Sequence, residues 1–209
     1  MNSEKCDCFS PLPVQHIFKT LLTQNKSFNL IHNGKNYPIN PILLSIASPK
    51  IYRLSLADPL INSYEVPNIE GDFQPIYDLL SQNPSPPGLQ ENAMFALEIG
   101  IDLELLEYLP HIITFIPITY FLTNENKILN RLYNIGYNLE LIIDNMSMNI
   151  NQCLASGTLL DLPIPLLDLF LKQIEIKIPS RDLQAFLSKI FSIHDSPNHR
   201  LAKYYPLTE

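Results

Sequence analysis

Cys6 and Cys8 are the first residues of this chain with the chemistry to hold a metal, and Cys6-Asp7-Cys8 supplies half of a site at most. Structural zinc typically takes cysteine pairs separated by two to four residues, with a second pair elsewhere. The remaining donors are Cys153 and scattered histidines. His194 and His199 flank Asp195-Ser196-Pro197-Asn198, a turn rather than a helix that would set both imidazoles on one face. A solvated loop is the simpler reading there, and a terminal tail the simpler reading of the cysteine pair. His16, His32 and His111 stand alone among apolar residues and read as core or rim groups. Covalent chemistry needs a Ser or Cys on a sharp turn beside a base. Ser156-Gly157-Thr158 lacks the Gly-x-Ser-x-Gly frame, and six glycines build no phosphate-cradling loop. Asp161, Asp168 and Glu175 could pair as acid and base, but each sits among helical leucines and reads as a solvent-face residue. No catalytic residue, metal or cofactor is expected, and the chain reads as non-enzymatic.

The elements that would position any site are most legible in residues 28–56. Phe28, Leu30, Tyr37 and Ile39 alternate with polar residues, the period of half-buried strands. Between them Asn33-Gly34 predicts a two-residue hairpin turn, since both residues tolerate positive φ. Asn40-Pro41 and Ser48-Pro49 each pair a capping side chain with a proline at the first helical position, and predict two short helices joined by a bend. Gly100 then Asp102 reads as a helix stop followed by a new N-cap, with Leu103, Leu105, Leu106 and Leu109 on a short buried helix. Three prolines within 81–88 exclude a ladder strand there. Upstream, Val14, Ile17, Phe18, Leu21 and Leu22 follow helical spacing after Pro13. Residues 110–123 read as a packed hinge, and everything from Asn124 as helical. Asn124 to Ile135 would end at Gly136, and Asn138 would cap the next helix. A further helix would begin at Pro165, and 181–193 would follow Pro179-Ser180.

Hydrophobic residues make up 46% and charged residues 17%, so a real core is expected. The net charge of −7, with no basic stripe, argues against a nucleic-acid partner. Three cysteines build no disulfide framework, and the opening MNSEKCDCFS carries no apolar leader. The apolar run 109–122 is interrupted by His111 and Pro117 and is shorter than the ~20 residues a bilayer demands. A cytoplasmic or nuclear protein without a membrane segment is expected. Two formal glycosylation sequons, at Asn25 and Asn145, read as chance matches in an Asn-rich chain.

The order of hairpin, paired helices, strand and helices resembles a BTB/POZ domain. Tyr37, Ile39, Asn40, Leu43 or Leu44, Ser48 and Ile51-Tyr52 are similar to that family's aromatic–x–small–His to Ser–x–x–Phe motif. Ser63-Tyr64-Glu65-Val66 and the helices around residues 71–80, 91–101 and 102–108 continue the likeness. Ser27 and Asn40 stand where the family often has Asp and His, so its charged co-repressor pocket is in doubt here. Leu159-Leu160-Asp161-Leu162-Pro163, Leu166-Leu167, Phe170-Leu171 and then Ile176 to Leu183 resemble the BACK region of Kelch-type adaptors. The expected fold is therefore α+β: a BTB/POZ-like three-stranded sheet flanked by helices in residues 12–116, after a tail in 1–11. A BACK-like all-helical extension follows in 117–209. The resemblance implies a protein partner: self or another BTB-like chain as a homodimer or assembly, or a cullin-type scaffold in a ubiquitin-ligase adaptor. A structural or vestigial family member without a ligase partner is the alternative, and a small-molecule enzyme is a remote one. The anchors expected are Phe18, Leu22, Tyr52, Leu89, Met94 and Tyr108, on a patch shared by residues 14–22, 84–88 and 100–108. Leu89-Gln90-Glu91 is similar to an apolar–x–acidic cullin grip. Its simpler reading has Leu89 packed and Glu91 in a first helical turn, where the dipole favours an anion.

Overall fold

The computed structural model describes residues 27–122, 128–150, 153, 159, 162–174 and 180–193. Strands β1 (Phe28–His32) and β2 (Lys35–Ile39) form an antiparallel hairpin in which Phe28 faces Ile39 and Leu30 faces Tyr37. Asn33 and Gly34 take φ values of 51° and 75°, as the turn requires. Pro38 is tolerated because β2 is an edge strand, and its carbonyl accepts from the Tyr77 hydroxyl at 2.9 Å. Helices α1 (Pro41–Ala47) and α2 (Pro49–Ala57) follow, and β3 (Ser63–Glu65) returns parallel to β1, giving the order β2-β1-β3. Helices α3 (Gln74–Leu80), α4 (Ala93–Asp102) and α5 (Leu109–Ile113) complete this part. The described chain divides between Thr114 and Phe115 into two compact units. The second holds α6 (Ile118–Phe121), α7 (Ile128–Asn134), α8 (Glu140–Met148), α9 (Ile164–Ile174) and α10 (Ser180–Ile193). The class is α+β with a helical extension. No helix among the described residues is long and apolar enough to cross a membrane.

The core of the first unit is built from Leu30, Leu44, Ile51, Ile76 and Leu97, all almost wholly buried. His32 joins them at the end of β1. It stacks on Phe73 and meets Phe95 at 5.6 and 5.2 Å between centroids, and its Nε2 lies 3.1 Å from the Ile69 carbonyl. Residues 81–92 run as turns, with no strand among them.

One expected boundary is overturned. Gly100 does not stop a helix and Asp102 does not start one: α4 runs through both. The glycine instead lets α5 approach, since a Cβ at that position would meet Leu109 Cδ2 at 3.0 Å. The chain turns at Glu104, whose φ is 57°, and residues 103–108 form turns rather than a helix. Leu103, Leu105 and Leu109 are nonetheless fully buried. Their apolar spacing records burial in a turn, which periodicity alone does not separate from a helix.

In the second unit, Gly136 ends α7 through paired bonds from Gly136 N to Tyr133 O and Tyr137 N to Leu132 O. Asn138 Oδ1 accepts from Glu140 N at the head of α8. α9 begins at Ile164, one residue before the proline expected to open it. α8 packs on α9, and Leu183, Phe186, Leu187 and Ile190 bury one face of α10.

Candidate functional site

Ser48 is the joint that fixes the angle between α1 and α2. It ends one helix and caps the next, and it is fully buried. Its Oγ accepts from Ile51 N at 3.1 Å and donates to the Leu103 carbonyl. At the other end of α1, Asn40 Oδ1 accepts from Ile42 N and Leu43 N at 2.9 and 3.3 Å. Asp58 closes α2, and its carboxylate accepts from Leu60 N at 3.0 Å. These bonds leave one face of each helix turned away from the core. Ile42, Ser45 and Ile46 share a face of α1, and Tyr52, Ser55 and Leu56 share a face of α2, by the i, i+3, i+4 rule.

Between those faces lies an open groove of about 870 Å³. The start of β1, at Ser27 and Phe28, and the turn at Pro59–Asn62 complete its lining. Ile46, Tyr52, Leu56 and Leu60 are 58%, 51%, 65% and 88% exposed, which makes this rim a continuous apolar surface rather than scattered single residues. Among the described residues, no charged side chain lines it. The two cations of α2 are tied elsewhere: Lys50 Nζ lies 2.7 Å from Asp102, and an Arg53 guanidinium nitrogen lies 2.6 Å from Glu104. Tyr64 also donates to Asp102 at 3.0 Å. Burial pulls the Lys50 ammonium down, but Asp102 and Tyr64 together more than offset this, and its pKa lies above the ordinary 10.5. Burial, with Asp102 beside it, holds the Tyr64 hydroxyl above 10.0 although Lys50 opposes the shift.

The expected anchors separate. Tyr52 lies on the groove wall, half-exposed. Phe18 and Leu22 lie outside the described residues. Leu89 is only 3% exposed and belongs to the core, so it offers no side chain to a partner, contrary to the expected anchor role. Glu91 is exposed in the turn before α4, and Met94 is 51% exposed in its first turn. Tyr108 is half-buried, and burial, then Glu107, raises its hydroxyl pKa. None of Leu89, Glu91, Met94 and Tyr108 lines the groove. Of the patch expected across 14–22, 84–88 and 100–108, the first part lies outside the described residues and the other two do not line the groove. Ile46, Leu56 and Leu60 were not singled out by the sequence. Their signal was an apolar excess: in PILLSIA only Leu44 reaches the core, so the remaining apolar residues need another cover.

Among the described residues, the groups considered for chemistry do not come together. His32 is committed to the core as described, and His111 is exposed. Cys153 is fully buried, its Sγ 3.2 Å from the Met146 carbonyl, and burial pushes its thiol up to about 11. Among the described residues no group of three or more metal-ligating side chains comes together. Cys6, Cys8, His16, residues 156–158, Asp161, Glu175, His194 and His199 lie outside the described residues. No family model matches this chain, and no curated protein matches its sequence.

Proposed function

We propose that this chain is a non-enzymatic protein–protein interaction module of BTB/POZ type, and that the α1–α2 groove is where a second BTB-like chain docks, in the first instance another copy. The observation that carries the reading is the uncharged apolar rim of Ile46, Tyr52, Leu56 and Leu60. Fully burying a large aliphatic or aromatic side chain is worth roughly 1.5–3 kcal/mol, and here four stand half or more exposed on one surface. Two copies that each carry a net charge of −7 meet with least repulsion through a face without charge. The family reading itself is supported by the order of elements: hairpin, Ser-capped helix pair, third strand parallel to the first, then helices.

A ubiquitin-ligase adaptor is the lesser reading. Its grip would need Leu89 at the surface, whereas only Gln90 and Glu91 of that triplet are exposed. Light scattering over a concentration series into the millimolar range tests the proposal. The mass should rise toward two chains, and the Tyr52→Asp/Leu56→Asp variant should weaken association at least tenfold. A wild-type chain that stays single at every concentration, or association indifferent to both substitutions, overturns it.

A further inference from the structure

Side chains at the joint and in the first half of α2 hold three successive residues at the end of α4. Ser48 Oγ donates to the Leu103 carbonyl, Lys50 pairs with Asp102 at 2.7 Å, and Arg53 pairs with Glu104 at 2.6 Å. Asp102 is fixed in turn by the Tyr64 hydroxyl of β3. Lys50 and Arg53, three apart, share one side of α2. Tyr52 and Leu56, four apart, share the side that lines the groove. The two ion pairs therefore set the rotation of α2 about its axis, and with it the direction in which the groove wall faces.

Glu104 is an unusual residue for its place. Leu105 N donates to the Gly100 carbonyl and Glu104 N to the Ile101 carbonyl. These bonds put Glu104, at φ 57°, in the left-handed position that closes a helix. Glycine is the common choice there because a side chain strains that conformation. Here the side chain is kept, and its carboxylate lies against Arg53, only 18% exposed.

We infer that Asp102 and Glu104 are positioning residues for the groove: through Lys50 and Arg53 they hold α2 at the rotation that the docking copy meets. The inference rests on the groove being a docking site, as proposed above. Neither carboxylate lines the groove, so both act on docking only through α2. The strained backbone at Glu104 persists because its side chain is needed to hold Arg53.

Glu104→Gly separates positioning from the other effects of the change. It relieves the backbone at φ 57°, so the urea midpoint should not fall below wild type. It also removes one negative charge from an acidic chain, and reduced repulsion alone would strengthen self-association. Loss of positioning should instead weaken it about fivefold or more, by light scattering on the full chain. Arg53→Glu should weaken it likewise. Arg53→Glu/Glu104→Arg restores opposite charges at unchanged net charge and should recover association to within about twofold of wild type. The wall itself is read with nitroxide labels on Ile46→Cys and Leu56→Cys, both exposed, in a Cys6→Ser/Cys8→Ser chain whose Cys153 is buried. Double electron–electron resonance should find the label distance shifted or broadened by about 2 Å in Glu104→Gly and Arg53→Glu. In the charge-exchanged chain it should match wild type. A label distance that Glu104→Gly leaves unchanged overturns the inference. The two readings fail separately. Tyr52-dependent association indifferent to Glu104→Gly and Arg53→Glu removes the positioning role and leaves the docking site. A label distance that moves in a chain that never associates leaves the hold on α2 and removes the second copy as partner.

Discussion

At the scale of single residues, Ser48 is the most consequential polar group of the first unit. Its hydroxyl serves Ile51 N and the Leu103 carbonyl at once, inside the core. Ser48→Ala removes a helix cap, worth about 1 kcal/mol, and takes a partner from a buried backbone group, about 1–3 kcal/mol more. Asn40→Ala removes a cap at a half-buried position. Urea unfolding should therefore find Ser48→Ala the more damaging by at least about 1 kcal/mol; equal losses would mean that the Leu103 bond contributes nothing. Lys50 and Tyr64 make a second prediction. Both hold their protons more tightly folded than unfolded, so above about pH 10 the unfolded chain binds fewer protons and stability falls as pH rises. Their contribution is complete below their ordinary values of 10.0 and 10.5 and is lost through the raised folded ones. The alkaline fall of the urea midpoint should be shallower in Lys50→Met/Tyr64→Phe than in wild type. Cys153, with its thiol pushed up to about 11, should resist iodoacetamide at pH 8 until urea unfolds the second unit. Peptide mass spectrometry reads this, and modification of the native chain at the unfolded rate would contradict the burial.

At the scale of elements, legibility followed whether a boundary is set locally or by packing. The hairpin was readable because Asn33-Gly34 alone determines its turn and the alternation of Phe28, Leu30, Tyr37 and Ile39 determines its face. Asn40-Pro41 and Ser48-Pro49 were readable for the same reason, each cap being a contact within three residues. Gly100 was misread because its role is tertiary: it clears space for Leu109, and nothing within three residues says so. Leu103 and Leu105 look helical in sequence but are buried by a turn at Glu104, a residue with no strong turn signature. The groove was missed because exposure belongs to no local pattern. Ile46 and Leu56 are ordinary helix residues until the angle fixed at Ser48 turns their faces outward together. Gly71 shows the same dependence on packing. A Cβ there would sit 2.3 Å from the Phe95 ring, which in turn lies against His32. Gly71→Ala should therefore lower stability by about 1–3 kcal/mol, the usual range for overpacking, by chemical denaturation; a neutral result would mean that the Phe95 ring moves freely aside.

At the scale of the whole molecule, the charge balance and the groove together predict how association responds to salt. Each chain carries a net charge of −7, so two copies repel at long range. The Debye length is about 30 Å at 0.01 M salt and about 10 Å at 0.1 M, so added salt weakens that repulsion. It removes nothing at the contact, because no charged side chain among the described residues lines the groove, and the nearby Lys50 and Arg53 already pair within their own chain. Raising sodium chloride from about 10 to about 300 mM should therefore strengthen self-association severalfold, measured by light scattering on the full chain. The opposite response is expected of a partner gripped through Glu91 or another exposed carboxylate, since screening weakens attraction between unlike charges. An association that weakens with salt would place the contact on a charged surface and away from Ile46, Tyr52, Leu56 and Leu60. One that strengthens, and is lost in Leu56→Asp/Leu60→Asp, leaves the apolar groove as the surface through which this acidic chain meets its copy.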